Sequence, residues 1–138
     1  MTRTVIVAAA IVAGEPPRVL AAQRSYPADL AGLWELPGGK VHDGESDLDA
    51  LVRECREELG VEVRPMRRLG EDVTIGAQSV LRVWWAELVE GEPVALEHSE
   101  LRWLSQHQVD DIPWLPSDAP VVAALHDSWP DNSSDRAG

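Results

Sequence analysis

The sequence predicts an α/β fold, a mixed β-sheet with a helix on each side, and three observations carry that expectation. Several runs rich in Val, Ile, Leu and Ala are separated by Gly- and Pro-rich turns, the punctuation of strands. Asp47 to Leu59 repeats its apolar residues at helical spacing, and a second helical stretch follows the last strand. With 138 residues the chain is one ordinary domain. That domain is expected to cover residues 1–130, and the polar segment Asp131 to Gly138 reads as a disordered tail.

The elements follow in order. Thr4 to Ala13 is an apolar run of ten residues closed by Gly14-Glu15-Pro16-Pro17; it is too short to span a membrane and reads as a strand. Arg18 to Arg24 returns as a second strand, making a hairpin. After a loop, Ser25 to Gly32, the short extended piece Trp34-Glu35-Leu36 is stopped by Pro37, and Gly38-Gly39 predict a sharp turn. The helix Asp47 to Leu59 carries Leu48, Leu51, Val52, Cys55 and Leu59 within about 80° of one another. Ser46, with Asp49 three residues on, suits its N-cap, and Gly60 a left-handed C-cap. Val61 to Arg64, Leu69 to Ile75, Val80 to Val89 and Leu101 to Leu104 read as further strands, with Gly91-Glu92-Pro93 as a turn. The loop Ile112 to Pro116 leads to the second helix, capped by Ser117 or Asp118, with Pro120 in its first turn and Val121, Val122 and Leu125 as its apolar face.

Composition narrows the function. Twenty-four acids against twelve bases leave a formal charge of -12, which repels a nucleic-acid polymer unless the bases cluster. They do not: the longest group, Arg64 to Arg68, holds three arginines broken by Pro65-Met66. Neither a nucleic-acid polymer nor a membrane is an expected partner. A lone Cys55 rules out an internal disulfide and fits a reducing cytoplasm. An acidic protein can still bind a polyphosphate when divalent cations stand between the two sets of negative charge.

The long helix offers such a place. Glu54, Glu57 and Glu58 fall away from the apolar stripe, with Glu54 and Glu58 one turn apart and Glu57 beside them. Like charges at that spacing destabilise a helix by about 0.2–0.5 kcal/mol per pair, and Arg53 facing Glu57 offsets only part of it. A glutamate-rich face on an arbitrary helix is simply solvated, but the natural neutraliser of this one is a hard cation, Mg2+ with Mn2+ as the alternative, shared with a substrate's phosphates.

The spacing around those acids decides for the second reading. Gly39, five residues, Glu45, seven residues, then Arg53-Glu54-Cys55-Arg56-Glu57-Glu58-Leu59-Gly60-Val61 resembles the signature of the Nudix hydrolases. Seven fixed residues at about 7% frequency each match by chance on the order of 10⁻⁸ per start point. The departure is Cys55, where the family usually has Ile, Leu or Val; it lies on the apolar stripe and reads as core, not nucleophile. Trp34-Glu35-Leu36-Pro37-Gly38-Gly39-Lys40 further resembles the MutT-type branch, and the likeness covers most of the chain.

The resemblance implies an α/β/α sandwich and a metal-dependent hydrolysis of nucleoside triphosphate to monophosphate and pyrophosphate, of the kind that sanitises nucleotide pools of 8-oxo-dGTP or acts on cytidine-type triphosphates. By position, Glu54 matches the general base, Glu57 and Glu58 match metal carboxylates, and the Gly38 carbonyl matches a backbone ligand. Glu45 and Arg53 match positions that orient the catalytic loop and helix. Glu97, in Gly91-Glu92-Pro93-Val94-Ala95-Leu96-Glu97, matches a further metal ligand, with Glu100 as rival; His98 reads as a surface histidine. For the substrate, Gly39 and Lys40 close the MutT-like stretch and Arg24 matches a position near the nucleotide. Asp118 stands where MutT has a base-reading asparagine. An ionised aspartate only accepts hydrogen bonds, so the base edge facing it should present donors, as the cytosine amine or the guanine N1 and N2 hydrogens do, and a protonated Asp118 widens the choice. Trp34 and Trp114 are the candidates for stacking on the base.

Four other readings are weaker. A Nudix hydrolase for ADP-ribose or dinucleoside polyphosphates fits the MutT-like flanks less well, and a non-enzymatic nucleotide sensor fits poorly with a complete set of box glutamates. A calcium loop at Asp43 to Glu54 fails because its sixth position, Leu48, is not glycine, and Gly39-Lys40 is followed by Val41, not the Ser or Thr of a P-loop.

Overall fold

The computed structural model describes residues 3–130, and the expected tail at 131–138 lies outside the described residues. Strand β1 (Thr4–Ala13) is the middle of the sheet. It runs parallel to β7 (Ser79–Glu90) from Thr4 opposite Ser79 to Val12 opposite Glu87, while the other strand pairings are antiparallel, so the sheet is mixed. On its other edge β1 changes partner. Ile6 to Ala8 pair with β4 (Gly38–Lys40), and Val12 and Ala13 pair with β2 (Arg18–Gln23). β2 in turn pairs with β3 (Trp34–Glu35) and β8 (Glu100–Leu104). β5 (Glu62–Arg68) and β6 (Val73–Ile75) both pair with β7.

An apolar strand with no polar alternation must be covered on both faces, and β1 is. Val7, Ala9 and Ile11 pack under Leu51, Cys55 and Leu59 of α1 (Asp47–Leu59). Ala8, Ala10 and Val12 face the other way, toward Val121 and Leu125 of α2 (Ala119–Asp127). A 3₁₀ turn, Gln106–Asp111, which carries no periodic apolar signal, adds Val109 to that second core. One helix therefore sits on each face, as expected.

The ends of α1 are as the sequence predicts: the Ser46 hydroxyl accepts from Asp49 N at 3.1 Å, and Gly60 is left-handed at φ 71°. Its buried face is not. Leu48 is 42% exposed, whereas Ala50 is fully buried and Glu58 only 7% exposed, so the buried stripe is rotated toward the glutamates. The rotation draws Glu58 inside, because the helix must cover β4 as well as β1.

Three local expectations are corrected. Gly38-Gly39 is not a turn but strand β4, and neither glycine takes a left-handed backbone. Glycine is needed there for close approach: a Cβ on Gly38 would fall on the Val7 carbonyl, and one on Gly39 on the Glu54 carboxyl. Leu69 to Ile75 is not one strand; Gly70, at φ 67°, bends the chain and only Val73–Ile75 pairs. The arginine-rich Arg64 to Arg68 instead prolongs β5, with a register shift between Pro65 and Arg68 that accommodates the proline. Finally, neither Ser117 nor Asp118 caps α2 with its side chain. The Asp118 carboxyl turns inward and accepts from Leu36 N at 2.9 Å, while the Ser117 hydroxyl donates to Asp118 Oδ1 at 3.3 Å.

Candidate active site

Where β1 changes partner, a cleft of about 440 Å³ opens over Ile6 to Ala8. Gly38, Gly39, Lys40, Glu58 and Glu97 line it, as do Arg24, Glu35, Ser117 and Asp118, whereas Glu45, Arg53, Glu54 and Glu57 do not. Seven residues singled out from the sequence thus meet in one cavity: Arg24, Gly38, Gly39, Lys40, Glu58, Glu97 and Asp118.

Arg53 organises the carboxylates of α1 and the loop before it. Its Nε donates to Glu45 at 2.8 Å, one terminal nitrogen donates to Glu54 at 3.0 Å and Glu57 at 3.2 Å, and the other donates to the Lys40 carbonyl at 2.9 Å. A guanidinium has five donors in a rigid fork, so one side chain ties the loop, the strand and the helix together. Glu45 also accepts from His42 N at 3.0 Å. These two partners, Arg53 first, hold its carboxyl well below the usual range, at about 2. The Glu45–Arg53 ion pair thus joins the loop after β4 to α1.

Glu58 is the opposite case. It receives one hydrogen bond, from Gly38 N at 3.3 Å, and burial, then the charges of Glu54, Glu35 and Glu97, push its carboxyl up to about 9. A buried carboxylate without a cation is costly. The local donor set, Glu54, Glu57, Glu58, Glu97 and the Gly38 carbonyl, is all oxygen and suits a hard divalent ion. Among the described residues no three His, Cys, Asp or Glu side chains already converge as a metal site; the hydrogen bonds of Arg53 set the present positions of Glu54 and Glu57. Glu57 is half-exposed and Glu54 is 12% exposed with Gly39 beneath it. Cys55 is buried in the core and its thiol is pushed up to about 12 by burial, which fits a packing residue. Glu100 begins β8 opposite Gln23 and does not line the cleft, whereas Glu97 does.

Asp118, also on the cleft wall, is 5% exposed, and burial pushes its carboxyl up to about 7. Arg24 donates to Glu35 at 3.3 Å and lies 5.6 Å from the ring of Tyr26, which is 63% exposed. His98, expected at the surface, has a side chain only 6% exposed and bonds through Nε2 to Glu35 at 2.8 Å. The tryptophans are corrected. Trp34 is 4% exposed inside the α2-side core, with Arg102 at 5.9 Å from its ring, and Trp114 packs beside it while donating to the Val109 carbonyl at 2.8 Å. Neither lines the cleft; the aromatic side chain that does is Tyr26. Sequence reasoning missed Tyr26, Glu35 and His98. A signal existed for Glu35, next to the glycines, but none for the other two, which reach the cleft only through loop packing.

A model of the NUDIX domain family matches residues 2–125. The chain belongs to the Nudix family. Within it the likeness is to MutT-type members. A Mycobacterium tuberculosis protein named "Putative 8-oxo-dGTP diphosphatase 2" is 43% identical over 128 residues, 91% of this chain and 89% of that protein. The Escherichia coli CTP pyrophosphohydrolase is 40% identical over 114 residues, 78% of this chain and 82% of its own length. Among solved structures, that of the E. coli ORF135 protein superposes with a TM-score of 0.76 at 34% identity, covering 94% of this chain and 95% of the other. The MutT Nudix hydrolase of Burkholderia pseudomallei does so at 0.72 and 31%, covering 93% and 99%. No described helix is long and apolar enough to cross a membrane.

Proposed function

We propose that this chain is a cytoplasmic, Mg2+-dependent nucleoside triphosphate pyrophosphohydrolase that removes unwanted triphosphates from the nucleotide pool, releasing a nucleoside monophosphate and pyrophosphate. The observation that carries the reading is one cleft whose walls bring together Glu58, Glu97 and the cations Lys40 and Arg24 with a buried acceptor, Asp118. Names of relatives support it: one is called an 8-oxo-dGTP diphosphatase, the other a CTP pyrophosphohydrolase.

Glu54, Glu57, Glu58, Glu97 and the Gly38 carbonyl would hold the metal. When bound, a divalent ion screens the phosphate charge that repels water and lowers the pKa of bound water. Glu54 is the general base: its carboxyl lies against Gly39 on the cleft wall and is fixed by Arg53, ready to take the proton of the attacking water at an Oε atom. Lys40 and Arg24, which line the cleft, supply positive charge to the polyphosphate and nucleotide. Asp118 accepts from an amino group on the base edge. Cytidine and oxidised-guanine triphosphates are therefore preferred over uridine and thymidine ones.

Chromatography of products from a panel of normal and oxidised triphosphates at low concentration tests both parts. Monophosphate with pyrophosphate is expected. Diphosphate with orthophosphate as the main products would show that a different bond is broken.

A further inference from the structure

Glu97 stands on a loop, yet its neighbours are pinned on both sides. Leu96 N donates to the Glu58 carbonyl at 3.1 Å, at the end of α1. On the other side, Ser99 N donates to the Gln23 carbonyl at 3.0 Å. Between these anchors the His98 ring turns into the protein and meets Glu35 at 2.8 Å. A carboxylate only accepts, so His98 Nε2 is the donor. The other Glu35 oxygen accepts from Arg24 at 3.3 Å. His98 Nδ1 is buried and has no hydrogen-bond partner among the described residues, so the ring is held by one hydrogen bond, the one to Glu35.

We propose that Glu35 and His98 form a clasp that positions Glu97 for divalent-metal binding and joins it to the nucleotide end of the cleft through Arg24. The clasp rests on the reading of Glu97 as a metal ligand. Glu35 is placed to act on both: one carboxylate meets His98, next to Glu97, and Arg24. Partners that orient a metal-ligating group lose roughly tenfold or more in metal affinity when removed. The loop needs such a partner because Glu97 itself is exposed, and nothing but its neighbours restrains its backbone.

The test is Mn2+ binding to the protein without substrate, followed by the electron paramagnetic resonance signal of free Mn2+. It is run on wild type, Glu97→Gln, His98→Ala, His98→Gln and the double variant His98→Ala with Glu97→Gln, with thermal unfolding as a check on folding. His98→Ala should weaken Mn2+ binding roughly tenfold. His98→Gln, whose amide can still donate to Glu35, should recover most of that loss, which a packing role would not predict. In the double variant the His98 change should add little to Glu97→Gln, because the two act in series. If Glu97→Gln weakens Mn2+ and His98→Ala does not, the clasp is wrong while Glu97 stands as a ligand. An equal His98 effect with and without Glu97 also overturns it. If Glu97→Gln changes nothing, Glu97 is not a ligand and the clasp falls with that reading.

Discussion

The residues proposed to hold the metal come almost entirely from one stretch of chain, Gly38 to Glu58, with Glu97 added from a loop; the proposed nucleotide end draws Arg24, Glu35, His98 and Asp118 from four separate segments. Two glutamates on the first stretch show what local spacing does and does not convey. Glu45 and Glu58 are the same residue type, one held at about 2 by Arg53 and His42, the other driven to about 9 by burial beside other acids. Spacing along the helix states which acids are neighbours. Which of them is buried depends on what the helix lies against.

The sharpest way to test the contrast is to remove the buried carboxylate. Glu58→Gln should lower turnover by orders of magnitude, and excess chelator should do the same to the wild type. Thermal stability should not fall, since a neutral amide removes the cost of keeping this buried carboxyl protonated at neutral pH beside Glu54. Full activity in chelator would break the account of this end of the cleft.

The two glycines of β4 separate fold from chemistry at a smaller scale. Gly38→Ala drives a Cβ into the backbone of β1 and should cost roughly 3 kcal/mol of stability. Gly39→Ala meets first the carboxyl end of the Glu54 side chain, not backbone. It should cost about 1 kcal/mol or less but lower turnover roughly a hundredfold, the effect of misplacing a reacting group by an ångström. Denaturant unfolding and kcat on the same preparations read both quantities. Equal stability losses would mean that Gly39, too, is structural.

The smallest effects belong to the nucleotide end. The Asp118 carboxyl titrates at about 7 in the folded chain, against an ordinary value of 3.8. The native state therefore binds more protons between those values, and stability falls as pH rises through that window. Asp118→Asn should remove this dependence and be the more stable protein at pH 8, by about 1–3 kcal/mol, with the gap closing toward pH 4. In the wild type, the ratio of cytidine to thymidine triphosphate turnover at limiting substrate should rise across pH 7 as the carboxyl ionises. The same ratio should drop roughly tenfold in Asp118→Asn and Asp118→Ala. An identical ratio in all three proteins would move base reading to another residue.

Much of this protein is written in local pattern. The ends of α1, the apolar run of β1, the long strand β7 and the acids of the helix were legible because caps, periodicity and i,i+4 proximity involve residues a few positions apart. The frame from Gly39 to Val61 identified the family for the same reason. What periodicity could not supply was the rotation of α1 that buries Glu58 and leaves Leu48 exposed. Nor could it show that Gly38-Gly39 is a strand pressed against Val7 and Glu54, because glycine's tolerance of a turn and its tolerance of close approach look alike in a sequence. The inward turn of Asp118 toward Leu36, the burial of Trp34 and the meeting of His98 with Glu35 span separations from 63 to 82 residues or a whole core. Such contacts are set by how strands pair and which face of each helix is covered, so only the packed tertiary structure decides them.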